Sequence, residues 1–258
     1  MNFDAWLTGL VVMLAAAGLT WIVSVLQRNV TIVDSLWSLL FVLGAFAYAR
    51  VIDAPSPRVT LLLALVTLWG LRLAIYLSWR NLGHGREEDR RYQAIRRRNE
   101  PNFAFKSLYL VFGLQAVLAW LISLPLVGAI GGTSPLGVLD YLGAALWLVG
   151  MVFETGGDLQ LARFKGDPAN TGKVMDRGLW RYTRHPNYFG DFCVWWGFYL
   201  IALSAGAWWS FIGPLLMSYL LLKVSGVRLL ERDIGKRRPE YAEYIRRTNA
   251  FFPGPPKK

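Results

Sequence analysis

The feature that most constrains this chain is a series of mainly apolar runs. Each is about 20 residues long, the length a helix needs to cross a hydrocarbon core of ~30 Å. Inside such a core every backbone N–H and C=O must be satisfied within the protein, so runs of this kind fold as helices. Seven can be read, over 5–26, 31–49, 59–79, 104–127, 137–156, 187–204 and 207–227. The expected fold is all-α, a polytopic membrane protein with seven transmembrane helices. The sixth run is short, and the fifth ends in the polar stretch Glu154-Thr-Gly-Gly-Asp158. The opening Met1-Asn-Phe-Asp-Ala-Trp-Leu lacks a basic start, so the first run is expected to be retained as a span and not cleaved as a signal. With no internal repeat or low-complexity tract, residues 1–258 are expected to form a single membrane domain, with helices 1–4 over 5–127 and helices 5–7 plus their loops and tail over 137–258.

Charge sets the expected orientation. Lys and Arg number 28 against 17 Asp and Glu, a net charge of +11, and the excess lies between the apolar runs. The third run is followed by Arg80 to Lys106, the fifth by Arg163 to Arg184, and the seventh by Arg228 to Lys258; the connections after runs four and six carry no charge. Every second loop is basic, which places the N-terminus outside and the C-terminus in the cytoplasm. This pattern explains the charge without nucleic acid, and no feature calls for a protein partner. Cys193 is the only cysteine, so no intrachain disulfide forms, and it reads as a packing residue. His84 and His185 are far apart and unaccompanied by a Cys/His/carboxylate cluster, so no metal is expected.

Several polar groups interrupt the apolar pattern. Asp34 lies near the cytoplasmic start of the second run, while Arg72 and Tyr76, four residues apart, share a face of the third. A charge within a span costs at least ~2.5–3.5 kcal/mol and seeks a partner. An Asp34–Arg72 ion pair is one reading; a cavity with Tyr76 as hydrogen-bond donor and Asp34 as acid or orienting group is the other. Arg86 to Arg98 reads as a cytoplasmic helix, either a solvated surface or, with Asn81, His84 and Arg86 before it, a phosphate-binding edge. The loop from Asp158 to Arg184 carries Lys165, Lys173 and Arg177, with a turn at Pro168-Ala-Asn-Thr-Gly172, a composition that suits a pyrophosphate. Neither a Gly-x-Gly-x-x-Gly nor a Walker sequence is present.

The densest cluster is Gly178-Leu-Trp-Arg-Tyr-Thr-Arg-His-Pro-Asn-Tyr-Phe-Gly-Asp191. Proline disfavours helical geometry at the residue before it, so a new helix is expected to start at Pro186, its free N–H groups near Arg184 and His185. That arrangement suits an anion; the alternative is an aromatic and basic anchor at the membrane interface. The C-terminal piece, Arg228 to Pro255, is amphipathic and aromatic, suited to an interfacial helix or to a lid over a ligand.

These residues resemble the membrane steroid 5α-reductases, in particular their short bacterial relatives of the DUF1295 type, most strongly over 154–253 and more weakly over 29–106. The matching elements are Asp158, the basic loop with Lys165 and Lys173, Gly178-Leu179, Tyr182 and Asn187-Tyr-Phe-Gly-Asp191, followed by Arg228, Tyr241 or Tyr244, and Arg247. The resemblance implies NADPH as cofactor, bound by Asn81, Arg86, Asp158, Lys165, Lys173, Arg177, Tyr182, Asn187, Asp191, Arg228, Tyr241, Tyr244 and Arg247. It also implies that Tyr76 and Asp34 are catalytic, and that Trp37 and Arg72 contact a hydrophobic, steroid-like substrate on the side of helices 1–4. The family's glutamate in the second span has no counterpart, Asp34 being the only acid there. The implied reaction reduces the C=C bond of an α,β-unsaturated ketone, in a bacterial inner membrane with surrounding lipid and with the cofactor site facing the cytoplasm. Arg184-His-Pro-Asn-Tyr-Phe-Gly190 and the late Glu231, Glu240, Tyr241 and Tyr244 are also similar to the isoprenylcysteine and phospholipid methyltransferases, which use S-adenosylmethionine. A transporter or structural membrane protein is a third reading.

Overall fold

The computed structural model describes residues 1–83, 87–224 and 240–257. Its elements are α1 (Phe3–Gln27), α2 (Ile32–Ile52), α3 (Pro57–Gly83), α4 (Arg90–Asn99), α5 (Phe103–Ile122), α6 (Leu124–Ile130), α7 (Val138–Gly166), α8 (Pro186–Ser204), α9 (Trp208–Val224) and α10 (Glu240–Arg247). Among the described residues there is no strand. Five helices, α1, α2, α3 (to Leu82), α5 and α7, are long and apolar enough to cross a membrane. The sixth and seventh expected spans are present as α8 and α9 but do not join that group. Asn187 and Asp191 lie in the first two turns of α8, and α9 is a shorter apolar helix. Residues 225–227 of the last expected span lie outside the described residues.

Local chemistry explains most of the ends. The Asn2 side chain accepts a hydrogen bond from the amide of Ala5 (2.9 Å), capping α1. The fourth expected span stops at Ser123, because Pro125 cannot donate to the preceding turn, and α6 starts afresh with that proline in its first turn. The fifth expected span, by contrast, runs on to Gly166. Glu154-Thr-Gly-Gly-Asp158 had the look of a boundary, but Glu154 and Asp158 are only 3% and 5% exposed and sit inside the helix. Pro186 opens α8 as expected, where its missing N–H and fixed φ suit the first turn.

The chain divides into two compact units. The first comprises Met1–Gly137 with Ala202–Ile212, and the second Val138–Ile201 with Gly213–Lys258. In the first unit, the Tyr48 and Ser123 hydroxyls share a 2.6 Å hydrogen bond that ties α2 to the end of α5. Trp120 stacks on Trp6 at 3.8 Å and donates its Nε1–H to the Trp6 carbonyl, joining α5 to α1. The Ser38 hydroxyl donates to the Gly70 carbonyl and Ser78 to Ser35, setting the antiparallel register of α2 and α3. Arg58, 1% exposed at the start of α3, donates to the carbonyls of Ser134 and Pro135 (2.9 Å each) and so fixes the loop after α6. A buried guanidinium is tolerable there because hydrogen bonds compensate its lost hydration.

The second unit is built on a backbone-to-backbone contact between α7 and α8. Gly143, Gly150 and Gly157 recur every seven residues on α7, and Gly190 and Gly197 do so on α8. A methyl group at Gly143 would lie 2.7 Å from the Gly197 carbonyl oxygen, and one at Gly150 would lie 2.6 Å from that of Gly190. At Gly157 it would meet Pro186 and the Asn187 amide at 3.0 and 3.1 Å. Small residues of this kind are what allow helices to approach closely without a hydrophobic driving force. Gly190→Val is expected to destabilise the protein by on the order of 1–3 kcal/mol or more through forced separation. Gly18→Ala, where no atom lies within 4 Å, is expected to be neutral. Thermal unfolding of the two variants in detergent is the check.

Candidate functional site

In the first unit the polar groups gather where α2 begins. Asp34 is not directed to Arg72. Its Oδ2 accepts from Arg91 Nη2 at 2.7 Å and lies 3.6 Å from Arg80 Nη2, while its Oδ1 accepts from the Tyr92 hydroxyl at 2.6 Å. Of the two readings of Asp34, the ion pair with Arg72 is thereby replaced by contacts with Arg91, Arg80 and Tyr92. Its carboxylate holds α4 against the start of α2. The rest of the segment before α4 is fastened in the same way. Glu88 accepts from the Val30 amide and takes both Arg96 nitrogens (2.8 and 2.7 Å), and the Asp89 amide donates to the Thr31 hydroxyl. Asp89 also caps α4 by accepting from the Arg91 amide at 2.8 Å. The charged run from 87 to 98 is therefore a latch as well as a solvated surface.

The environment tunes these groups in readable ways. Burial pushes the Asp89 carboxyl up, but hydrogen bonds from Arg91 and the charges of Arg91 and Arg80 more than offset it and hold the group below the usual carboxylate range. Burial weakens the charge of Arg91, whereas Asp34, Asp89 and Tyr92 strengthen it, and its pKa ends raised. Burial, then the neighbouring Asp34 carboxylate, raise the Tyr92 phenol well above its ordinary value, so it stays a donor.

Tyr76 lies on α3, half-buried, with the Arg72 guanidinium 5.8 Å over its ring and Trp79 6.1 Å away. Trp37 packs edge-on to Phe41, which in turn meets Trp69. Asn81 accepts from Arg80 through Oδ1, and its buried Nδ2 has no partner among the described residues. Arg86 and His84 lie outside the described residues, as do Arg228 and Glu231.

In the second unit, the close approach of α7 and α8 brings Asp158 and Asn187 together, Asn187 Nδ2 donating to Asp158 Oδ1 at 3.2 Å. Glu154 and Asp158 are one turn apart on α7, and Asn187 and Asp191 one turn apart on α8; the three acids are all buried. After α7 the chain leaves with Lys165, Lys173 and Arg177 exposed, and returns through a 3₁₀ turn, Gly178–Arg181. Trp180 Nε1 donates to the Gly157 carbonyl and Gln160 accepts from the Leu179 amide, so this turn is pinned to α7. Tyr182 is exposed.

The segment around α10 docks on this turn. The Tyr244 hydroxyl donates to the Trp180 carbonyl, the Thr183 hydroxyl to that of Phe251 (2.8 Å), and the Gly254 amide to that of Tyr182 (3.1 Å). Tyr241 is buried edge-on to Tyr244, and Arg247 pairs with Asp176. Arg184 is the keystone of this docking. It is 7% exposed, its amide donates to the Asn249 carbonyl, and its Nη1 donates to the carbonyls of Ile245 and Thr248 at the end of α10. A guanidinium expected to face an anion thus serves the unsatisfied carbonyls of a helix C-terminus. His185 is buried too, stacked on Tyr188 at 5.6 Å. Sequence reasoning missed the Arg184 clamp and the Arg91–Tyr92 partners of Asp34. These contacts join residues about 60 positions apart, and no local pattern signals them.

Comparison with known proteins adds the chain's family to this geometry. A family model described as "Protein of unknown function (DUF1295)" matches residues 20–248. The chain belongs to this steroid 5α-reductase-like family. One relative within reach of the whole chain is an uncharacterized protein of Schizosaccharomyces pombe, 26% identical over 287 aligned residues that cover 98% of this chain and 80% of the relative. Local matches are to 3-oxo-5-alpha-steroid 4-dehydrogenase 1 of Bos taurus (37% over 67 residues, 26% of each chain) and of Mus musculus (43% over 63 residues, 24% of each). No solved structure matches.

The clamp makes a direct prediction. Arg184→Ala removes the donor from two main-chain carbonyls, each a loss of ~1–3 kcal/mol if left unsatisfied. Hydrogen exchange should rise across 244–254 while α1–α3 keep their protection. Unaltered exchange there would show that the clamp does not hold the segment.

Proposed function

We propose that this protein is an NADPH-dependent membrane reductase that saturates the C=C bond of an α,β-unsaturated ketone, the Δ4 bond of a 3-oxo-steroid or a similar lipid. The observation that carries the reading is the Asp158–Asn187 pair on facing helices beside an exposed basic loop, in a chain with local matches to 3-oxo-5-alpha-steroid 4-dehydrogenases. The residues fit such a cofactor. Lys165, Lys173 and Arg177 are exposed cations suited to its phosphates, and Asp158, Asn187 and Asp191 offer carboxylate and amide groups suited to ribose hydroxyls or the carboxamide. Asn81 Nδ2, a buried donor with no partner among the described residues, suits a further ligand oxygen. Tyr182, Tyr241, Tyr244 and Arg247 would form the wall that the docked C-terminal segment holds in place, with Arg86 and Arg228 as further cations in the sequence. When bound, NADPH supplies a hydride to the β-carbon of the substrate.

The chain's own contribution is to handle the charge that this transfer creates. As the β-carbon gains hydride, negative charge develops on the ketone oxygen, and a donor aimed there stabilises the transition state more than the ground state. Tyr76 is the proposed donor, with Arg72 over its ring to keep the phenol oriented and Trp37 lining the apolar side. Asp34, engaged by Arg91 and Tyr92, is a positioning residue in this scheme: it fixes α4 at the start of α2. Protonation of the α-carbon by a solvent-derived proton completes the reduction. The proposed arrangement is seven spans in a bacterial inner membrane; the alternation of basic connections favours the N-terminus outside and the cofactor residues facing the cytoplasm.

Tyr76→Phe is expected to lower turnover of a Δ4-3-ketosteroid by ~10²–10³-fold while leaving NADPH affinity unchanged. Steady-state kinetics alongside cofactor binding separate the two. Undiminished turnover would remove Tyr76 from the mechanism.

A further inference from the structure

The turn that ends α1 holds a backbone conformation that side chains rarely adopt. Arg28 follows the helix at φ 52°, ψ 33°, its amide donating to the carbonyls of Ser24 and Val25. Glycine takes this position without steric penalty and is the common choice there. An arginine in its place is an outlier that calls for a reason.

Beside Arg28 lies a cavity of about 490 Å³ between the end of α1 and the start of α5. Its charged walls are Arg28, Arg96 and Glu100, and its apolar walls include Val25, Phe103 and Ala104. Arg96 is already engaged: it is paired through two nitrogens with Glu88 and sits 4.5 Å over the Phe103 ring. The Arg28 guanidinium, by contrast, is exposed and makes no ion pair or hydrogen bond among the described residues. The Ser24 and Val25 carbonyls at the helix end are already capped by the Arg28 and Asn29 amides.

The location is that of a membrane interface. Both helices that form the cavity are long and apolar enough to span, and it lies at their ends. Trp21 joins them there, its Nε1–H donating to the Ala104 carbonyl at 2.9 Å, the depth at which tryptophan is enriched in membrane proteins. On the same helix ends Ile22, Leu26 and Phe105 are exposed, apolar surface suited to hydrocarbon.

We propose that this cavity binds the headgroup of a membrane aminophospholipid, with the phosphodiester on Arg28, the primary ammonium on Glu100, and the acyl chains along the exposed flank of α1. Arg96 is hydrogen-bonded to Glu88 and is also attracted by Glu100, so Arg28, Arg96, Glu88 and Glu100 together carry two cations and two anions. They complement a zwitterion, and a net-anionic headgroup would leave Glu100 facing a negative ligand. The phosphate gains a charge-assisted contact that a neutral side chain cannot make. This proposal is independent of the reductase reading, since none of its residues is placed in that chemistry.

The test uses the full chain, purified and delipidated in detergent, with melting temperature and native mass spectrometry as readouts. Phosphatidylethanolamine should raise the melting temperature and appear as a retained adduct, more than phosphatidylglycerol or phosphatidylcholine at equal concentration. Arg28→Gly should weaken that lipid's binding by at least ~10-fold, yet leave the lipid-free melting temperature equal or higher, because glycine relaxes the left-handed turn. Arg28→Asn, which also tolerates that conformation, is the second variant should the glycine loosen the chain end. Glu100→Gln should erase the preference for ethanolamine over choline. Retention of the lipid effect in both Arg28 variants, or equal stabilisation by phosphatidylglycerol, would overturn the site. Equal stabilisation by soluble phosphoethanolamine would overturn the assignment to a membrane lipid.

Discussion

Where α7 meets α8, a methyl group on a facing glycine of either helix would fall within 2.7 Å of a carbonyl oxygen of the other, so any larger residue would push the backbones apart. The polar chemistry of the second unit depends on that contact. Asp158 and Asn187 are short side chains, and they reach each other only because Gly157 and Gly190 let the two helices touch at their level. The same closeness buries Glu154 and Asp191 and leaves the Gly157 carbonyl to be taken by Trp180, which fixes the turn leading into α8. A seven-residue spacing keeps glycine facing the partner from one interval to the next, since seven residues nearly complete two turns of helix.

A second theme is the use of arginine to close irregular backbone. Arg58 in the first unit and Arg184 in the second are both buried, and both satisfy carbonyls that helix ends or loops would otherwise leave unpaired. Arg91, more exposed, does the corresponding work for a carboxylate, Asp34. The guanidinium suits this because it carries five donors in a fixed fork and stays charged when partly desolvated. In a chain rich in apolar runs, these few contacts decide where loops lie, and hence which faces remain open to ligands.

Much of the fold was legible because its signal is local. Apolar length placed the helices, and Pro186 marked the start of α8 through its missing N–H. The extension of α7 beyond residue 156 was not legible, since Glu154 and Asp158 read as a helix end when their burial by α8 is unseen. Glycines 143, 150, 157, 190 and 197 stand in plain view in the sequence, but their spacing gains meaning only once the two helices are known to pair. Asp34 was singled out correctly as a group needing a partner. Arg72 was one candidate among the polar groups of the first spans, whereas Arg91 and Tyr92 arrive on α4, some 57 residues downstream. The Arg184 cluster shows the same limit: composition suggested an anion, and the helix end that occupies the guanidinium lies about 60 residues away.

The central proposal is that the second unit holds a reduced nicotinamide cofactor through Asp158, Asn187 and the basic loop. The most direct measurement is binding of NADPH and of S-adenosylmethionine to the purified full chain by calorimetry, with Asp158→Asn and Lys173→Ala in parallel. The account predicts saturable NADPH binding that both substitutions weaken, and no heat from S-adenosylmethionine. Binding of S-adenosylmethionine with none of NADPH would contradict it and point to methyl transfer instead.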